Sequence, residues 1–232
     1  MTEASPAVQL QGLRFGYRRG PLVLDIAELN VPHGGRVFLH GPSGSGKTTL
    51  LGIIAGVLLP NAGTVRVLGH DLSRLSQGER DALRGEQLGY LFQLFNLLPW
   101  LSVVDNVTLP VELHPVRRRR LGDVAPRDAT RELLERLDLA GFIDTPVSDL
   151  SVGQQQRVAA ARALIGSPAL IIADEPTSSL DADRRDAFLQ LLFAECERAG
   201  STLLFVSHDL SLGAAFDRQL SLPELNRAGV AA

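Results

Sequence analysis

The chain has 232 residues, 45% of them hydrophobic and 21% charged, with a net charge of −3. That composition supports one globular domain, or one with an insertion, and excludes intrinsic disorder and a duplex-DNA binder working by overall positive charge. One Cys and five His leave no disulfide scaffold and no Cys-based zinc module.

Met1 to Pro6 is polar and carries Glu3, with no basic flank or apolar run, so no secretory leader is expected. Before Gly34 the pattern is of short strands with turns at Arg19-Gly20-Pro21 and Pro32-His33-Gly34-Gly35. These form an antiparallel flank on a main sheet. Val37 to His40 reads as a strand, then comes a Gly-rich turn and a helix from about Gly46. The uncharged stretch Thr48 to Val65 is broken by Pro60, Asn61 and Gly63, so it reads as buried helix, turn and strand rather than a membrane span. Leu88 to Phe92 is a further apolar strand.

From Gln93 to Ile165 no buried strand is predicted, whereas Asp128–Leu139 and Ser151–Ile165 are helical. The run Arg117 to Arg120 reads as a solvated loop, with contact to anionic lipid headgroups as the competing reading. Ala169–Ala173 and Leu203–Val206 are continuous apolar runs, which suit strands buried on both faces of a parallel sheet. Between them Leu189, Leu192, Phe193 and Cys196 share one helix face, so Cys196 is assigned to the core. The expected architecture is α/β, a single domain over 1–232. Residues 1–93 and 166–232 form the core with its β flank, and 94–165 form a helical subdomain.

Gly41-Pro42-Ser43-Gly44-Ser45-Gly46-Lys47-Thr48 fits G-x-x-x-x-G-K-[ST] between a strand and a helix, the context of a P-loop NTPase. Its glycines let successive N–H groups face phosphate oxygens, and the helix start adds partial positive charge. Lys47 would reach the β- and γ-phosphates and Thr48 would ligate Mg²⁺. A Rossmann motif is excluded, because Thr49 stands where the third glycine belongs. Leu170-Ile171-Ile172-Ala173-Asp174-Glu175 supplies the partner carboxylates: Asp174 for Mg²⁺, Glu175 as general base for an attacking water. Ser151 with Gln154 reads as a capping box opening a helix.

With the P-loop before it and Asp174-Glu175-Pro176 after it, Leu150-Ser151-Val152-Gly153-Gln154-Gln155-Gln156-Arg157 resembles the signature of ABC ATPases. The resemblance covers nearly the whole chain and implies a RecA-like core. It further implies that Tyr17 stacks on adenine, that Gln93 is the Q-loop glutamine near Mg²⁺ or the attacking water, and that His208 contacts the γ-phosphate. Ser179-Leu180-Asp181 corresponds to the D-loop. On this reading ATP and Mg²⁺ are the cofactors, Tyr17, Gly41 through Thr49, Ser151, Gly153, Gln154 and Asp181 form the nucleotide set, and Glu175, His208, Lys47 and Gln93 the catalytic set. Ser151 and Gly153 would meet the γ-phosphate held by another copy, so a head-to-tail homodimer completes two half-sites. Val152 departs from the usual Gly. It is expected to be tolerated, and slower hydrolysis is the effect that Val152→Gly would test. After Asp217-Arg218 the family's strand pair with an Asp-Gly turn is replaced by Ser221 to Asn226, and no regulatory extension is expected.

Leu88 to Pro110 resembles the lipoprotein-releasing, macrolide-exporting and cell-division group of ABC ATPases. That group implies an ATPase chain powering a separate integral membrane permease with few transmembrane helices and a large extracytoplasmic domain. The chain would then sit peripherally on the cytoplasmic face of the inner membrane, driving export or mechanical work on lipoprotein, lipid or drug-like cargo, with room for a periplasmic component. Phe92, Phe95, Leu97, Leu98, Pro99 and Trp100 are the candidate permease-facing surface. Two alternatives stay open: the ATPase of an amino-acid-type importer, and a soluble non-transport ABC ATPase. The latter normally has tandem ATPase domains or a long coiled-coil insertion. No nucleic-acid partner is expected, and no N-K-x-D motif supports a GTPase.

Overall fold

The computed structural model describes residues 6–18, 20–178 and 180–228. In chain order the elements begin with β1 (Val8–Gly16), β2 (Leu22–Val31), β3 (Arg36–His40), α1 (Lys47–Ile54), β4 (Ala62–Val67), β5 (His70–Asp71) and α2 (Gln77–Gln87). Next come β6 (Leu88–Leu91), α3 (Val103–Leu113), α4 (Pro115–Arg120), α5 (Pro126–Arg136) and α6 (Val152–Leu164). The chain continues through β7 (Leu170–Asp174), α7 (Ala182–Ala199), β8 (Thr202–Ser207), β9 (Arg218–Ser221) and α8 (Leu222–Leu225). The described residues fall into two compact units, one up to Arg84 and from Thr202 onward, the other from Gly85 to Ser201.

In the first unit an antiparallel sheet runs in the order β2-β1-β4-β5, the flank expected from the sequence. Along β1 the buried side chains are Val8 and Leu10, then Leu13 and Phe15. The change of phase falls at Gly12, whose φ of 58° accommodates an irregularity in the pairing with β4. The approach is tight there: a Cβ on Gly63 would lie 2.3 Å from the Gly12 carbonyl oxygen. The second set of strands is parallel, with β3 between β8 and β9. Every residue of β8 is buried, as a strand covered on both faces requires. Phe38 of β3 lies 6.3 Å from Phe205 and 5.2 Å from Phe216, ring centre to ring centre.

The second unit pairs β6 with β7 in parallel and surrounds them with helices. α6 and α7 supply the buried stripes, and Leu189, Leu192, Phe193 and Cys196 are all in the core as their spacing predicts. No strand occurs between Gln93 and Ile165 among the described residues, again as expected. α3 is not evident from the sequence pattern. It is rich in β-branched residues and holds Pro110 within its length, which lowers local helix propensity. Tertiary bonds offset this. Ser102 caps its start, accepting from the Asp105 N–H at 3.2 Å, and fully buried Asn106 donates to the carbonyls of Leu98, Leu101 and Ser102.

The run Arg117 to Arg120 corrects the expectation of a solvated loop. It is α4, and Arg117 is only 2% exposed. Its guanidinium donates to backbone carbonyls of Leu88, Ala163 and Ile165. Burial, and then the neighbouring Arg120 charge, bring its pKa down to about 10. Thr48 to Val65 resolves into α1, a turn and β4, and no helix among the described residues is long and apolar enough to cross a membrane.

Candidate functional site: a phosphate loop, paired carboxylates and a capped helix start

In the first unit the phosphate loop leaves β3 at Gly41 and enters α1 through Gly46. Gly46 has φ 98°, and a Cβ there would meet the Leu24 side chain at 2.9 Å, so only glycine fits. The Lys47 ammonium is buried and turned into the loop, donating to the carbonyls of Gly41 (2.6 Å) and Pro42 (3.0 Å). No side chain caps the start of α1, and a helix start of this kind suits an anion. Pro42, Ser43, Gly44 and Thr48 are exposed. Thr49 is buried and its hydroxyl shares a 3.2 Å hydrogen bond with Tyr17. Tyr17 is 53% exposed, its ring edge-on to Phe15 at 5.0 Å. A half-free aromatic is thereby fixed beside the phosphate loop.

β3 and β8 pair in register, His40 opposite Ser207. The phosphate loop and His208 therefore leave adjacent strands at the same level, about 4.8 Å apart in the pairing direction. His208 is exposed, and the turn behind it is closed by Asp209, which accepts from the Ser211 N–H (3.0 Å) and hydroxyl (2.6 Å).

The second unit repeats this logic. Leu91 pairs with Ala173, so Phe92 and Gln93 leave β6 level with Asp174 and Glu175 leaving β7. Both carboxylates are mostly buried, and Glu175 has φ 48°, a conformation rare for a residue with a side chain. Gln93 is exposed. Burial, and then the Asp174 charge, push the Tyr90 hydroxyl pKa well above its ordinary range.

The signature residues open α6 as predicted. Ser151 Oγ accepts from the Gln154 N–H (3.4 Å), and Gln154 Oε1 accepts from the Ser151 N–H (2.9 Å). Ser151 and Val152 are exposed, and no atom crowds Gly153 within 4 Å of where a Cβ would stand. Ser151, Gly153 and Gln154, with Leu180, Arg184 and Phe188, line a depression of about 340 Å³. Asp181 caps α7 by accepting from the Arg184 N–H at 3.0 Å, while Ser179 of the expected D-loop lies outside the described residues.

Two contributors were not singled out from sequence. Gln156 is fully buried and donates to the Pro176 carbonyl at 2.9 Å, tying the signature helix to the turn after Glu175. Asn226 accepts from the Asp25 N–H (2.8 Å) and donates to the carbonyls of Val23 (2.9 Å) and Ser45 (3.4 Å), so the C-terminal segment braces the phosphate loop. Only the departure of 221–226 from the family pattern drew notice to that segment.

The proposed apolar surface needs one correction. Phe95 is buried, Leu97 and Leu98 are half-buried, and Phe92, Pro99 and Trp100 are exposed. The most exposed apolar residue of the segment is Leu94, at 84%, with Trp100 at 73%. Phe95 and Asn96 both adopt positive φ, which turns one side chain in and leaves its neighbour out. Nearby, Tyr90, Phe92, Leu109, Leu113 and His114 line a cleft of about 280 Å³.

A profile of the ABC transporter family matches residues 24–178. An uncharacterised ABC transporter ATP-binding protein of Mycobacterium tuberculosis is 40% identical over 231 residues, covering 96% of this chain and 91% of the relative. The lipoprotein-releasing system ATP-binding protein LolD of Anaeromyxobacter dehalogenans is 40% identical over 94% of this chain and 91% of its own length. The macrolide export ATP-binding/permease protein MacB of Syntrophobacter fumaroxidans is 41% identical over 88% of this chain, which spans 29% of that longer protein. Among solved structures, the dimeric ATP-binding cassette MJ0796, in a post-hydrolysis state bound to ADP and Pi, matches with a TM-score of 0.81. It is 34% identical, over 92% of this chain and 93% of that one.

Proposed function

The chain belongs to the ABC transporter family as an ATP-binding, ATP-hydrolysing subunit, and from that premise we propose that it powers a separate membrane permease of the lipoprotein-releasing or macrolide-exporting kind. Two copies close head to tail around two ATP molecules. The observation that carries this reading is the start of α6. Its first N–H groups, at Val152 and Gly153, have no intrahelical partner, and the turn is exposed and uncrowded. Such a site suits a γ-phosphate delivered by another chain, and the dimeric arrangement of the solved relative supports it.

In the proposed reaction Tyr17 stacks on adenine and the loop from Gly41 to Thr49 holds the phosphates. Lys47 neutralises charge on the γ-phosphate, and Glu175 takes a proton from the water that attacks the γ-phosphorus as its bond to the β–γ bridging oxygen breaks and ADP leaves. His208 holds a γ-phosphate oxygen, Gln93 orients the water, and Ser151, Gly153 and Asp181 complete the site from the facing copy, with Gln154 fixing the Ser151 turn. Positioning and electrostatics supply most of the rate. The Thr48 hydroxyl, the Asp174 carboxylate and the Gln93 amide oxygen are the hard oxygen donors that Mg²⁺ prefers. Bound there, Mg²⁺ would neutralise phosphate charge.

We place the permease at the cleft beside Tyr90 and Leu113, with Leu94 and Trp100 reaching onto it. This puts the chain on the cytoplasmic face of the membrane. Residues 1–93 and 166–232 would serve as the nucleotide core and 94–165 as the helical, permease-facing part. The test is Glu175→Gln with Mg-ATP, read by light scattering. A shift from monomer to a long-lived dimer is expected; a chain that binds ATP and stays monomeric refutes the two-copy site.

A further inference from the structure

The C-terminal end of α6 is bonded to both ends of the segment that leads from β6 into the exposed apolar loop. At the near end, the Arg117 guanidinium joins the Leu88 carbonyl to those of Ala163 (3.5 Å) and Ile165 (3.2 Å). There β6 runs so close to α6 that a Cβ on Gly89 would stand 2.3 Å from the Ala163 carbonyl oxygen. At the far end Arg162 uses both arms of its guanidinium, Nη1 to the Asn96 carbonyl (2.7 Å) and Nη2 to the Phe95 carbonyl (2.6 Å). Phe95 and Asn96 are the two consecutive left-handed residues, with φ of 59° and 50°. Side-chain-bearing residues populate that conformation sparsely, so the turn needs an external hold. A planar fork meeting two adjacent carbonyls provides one, and lysine, as a point donor, does not.

We propose that Arg162 is a positioning residue that locks residues 92–100 to the signature helix. One rigid body then carries phosphate-reading Ser151 at one end and permease-facing Leu94 and Trp100 at the other. α6 has 13 residues, a span of roughly 20 Å. Movement of its N-terminus on nucleotide closure reaches the permease surface through bonded contacts rather than through a loose loop. The inference rests on the transport-ATPase reading for what lies at each end, but the bonds of the lock itself are all within one chain.

The experiment is hydrogen–deuterium exchange on the full chain carrying Glu175→Gln, with and without Mg-ATP, together with acrylamide quenching of Trp100, the single tryptophan. ATP should protect 151–156 and 92–98 together. Adding Arg162→Lys should speed exchange of 92–98 about tenfold, raise quenching of Trp100, and leave ATP protecting 151–156 alone. Adding Asn96→Gly to Arg162→Lys should restore part of the protection, because glycine adopts positive φ without steric cost. Unchanged exchange of 92–98 in a folded Arg162→Lys chain overturns the lock. So does protection of 151–156 without 92–98 when Arg162 is intact, a result that stands even if the variant does not fold. Absence of ATP protection at both segments counts against the ATPase reading instead, and the nucleotide-free comparison then decides the lock.

Discussion

Tyr17 offers a way to separate base recognition from phosphate recognition. Its ring is held by two contacts, the edge-on packing against Phe15 at 5.0 Å and the hydrogen bond to Thr49 at 3.2 Å. Tyr17→Phe removes only the second. A neutral hydrogen bond in a half-exposed place contributes toward the low end of about 0.5–1.5 kcal/mol, so ATP affinity should fall by about twofold. Tyr17→Ala also removes the ring. Stacking against a base is worth about 1–3 kcal/mol, so affinity should fall by about 5- to 150-fold. The assay is calorimetric titration with Mg-ATP and, in parallel, with inorganic tripolyphosphate, which has no base to stack. Tripolyphosphate should bind all three proteins alike. Tyr17→Ala binding ATP within twofold of the parent would refute the stacking role. Equal losses for ATP and tripolyphosphate would show that the ring acts through the phosphate loop by way of Thr49.

Further expectations follow from other parts of the chain. Trp100→Asp should abolish co-purification of a membrane permease with the tagged chain from gently solubilised native membranes while ATP affinity stays within twofold; loss of both would refute the docking assignment. Asn106→Leu leaves the Leu98 N–H without its side-chain acceptor and takes one of two donors from the Leu98, Leu101 and Ser102 carbonyls, which keep the N–H groups of Leu101, Val147 and residue 106. It should cost about 1–3 kcal/mol in urea unfolding, and a loss well under about 1 kcal/mol would contradict that accounting. His114 has its pKa lowered below 6.5 by burial first and by Arg117 second, against a weaker opposing pull from Glu86. The unfolded chain therefore takes up that proton more readily than the folded one, and stability should decline as pH falls below about 6.5. His114→Gln should flatten the dependence of Tm on pH between 7 and 5, and an unaltered slope would exclude this residue as its source.

The chemistry of this chain was legible wherever a short stretch determines its own geometry. The phosphate loop needs glycine at Gly46 because the backbone there has φ 98°. Ser151 and Gln154 satisfy each other's backbone N–H groups whatever else surrounds them. Buried parallel strands announce themselves as unbroken apolar runs. What could not be read depends on distant partners. Four consecutive arginines look like a charged surface, yet in a helix Arg117 and Arg120 share a face, and here that face meets backbone carbonyls of 86–88 and 163–167. α3 is stabilised by Asn106 and its cap rather than by propensity, so Pro110 misleads. The reversal between Leu94 and Phe95 follows from a backbone turn that Arg162 holds from 67 residues away.

The burial of Cys196, at 1% exposure, has a practical consequence for spectroscopy. It is the only thiol in the sequence and lies deep in the core, so the folded surface offers nothing for a maleimide to attack. A cysteine introduced at any exposed position would be labelled alone, without first stripping the native protein of competing sulfhydryls. The parent chain is in effect already a cysteine-free background for attaching spin labels or dyes, and its conformational cycle can be followed in a protein otherwise unaltered.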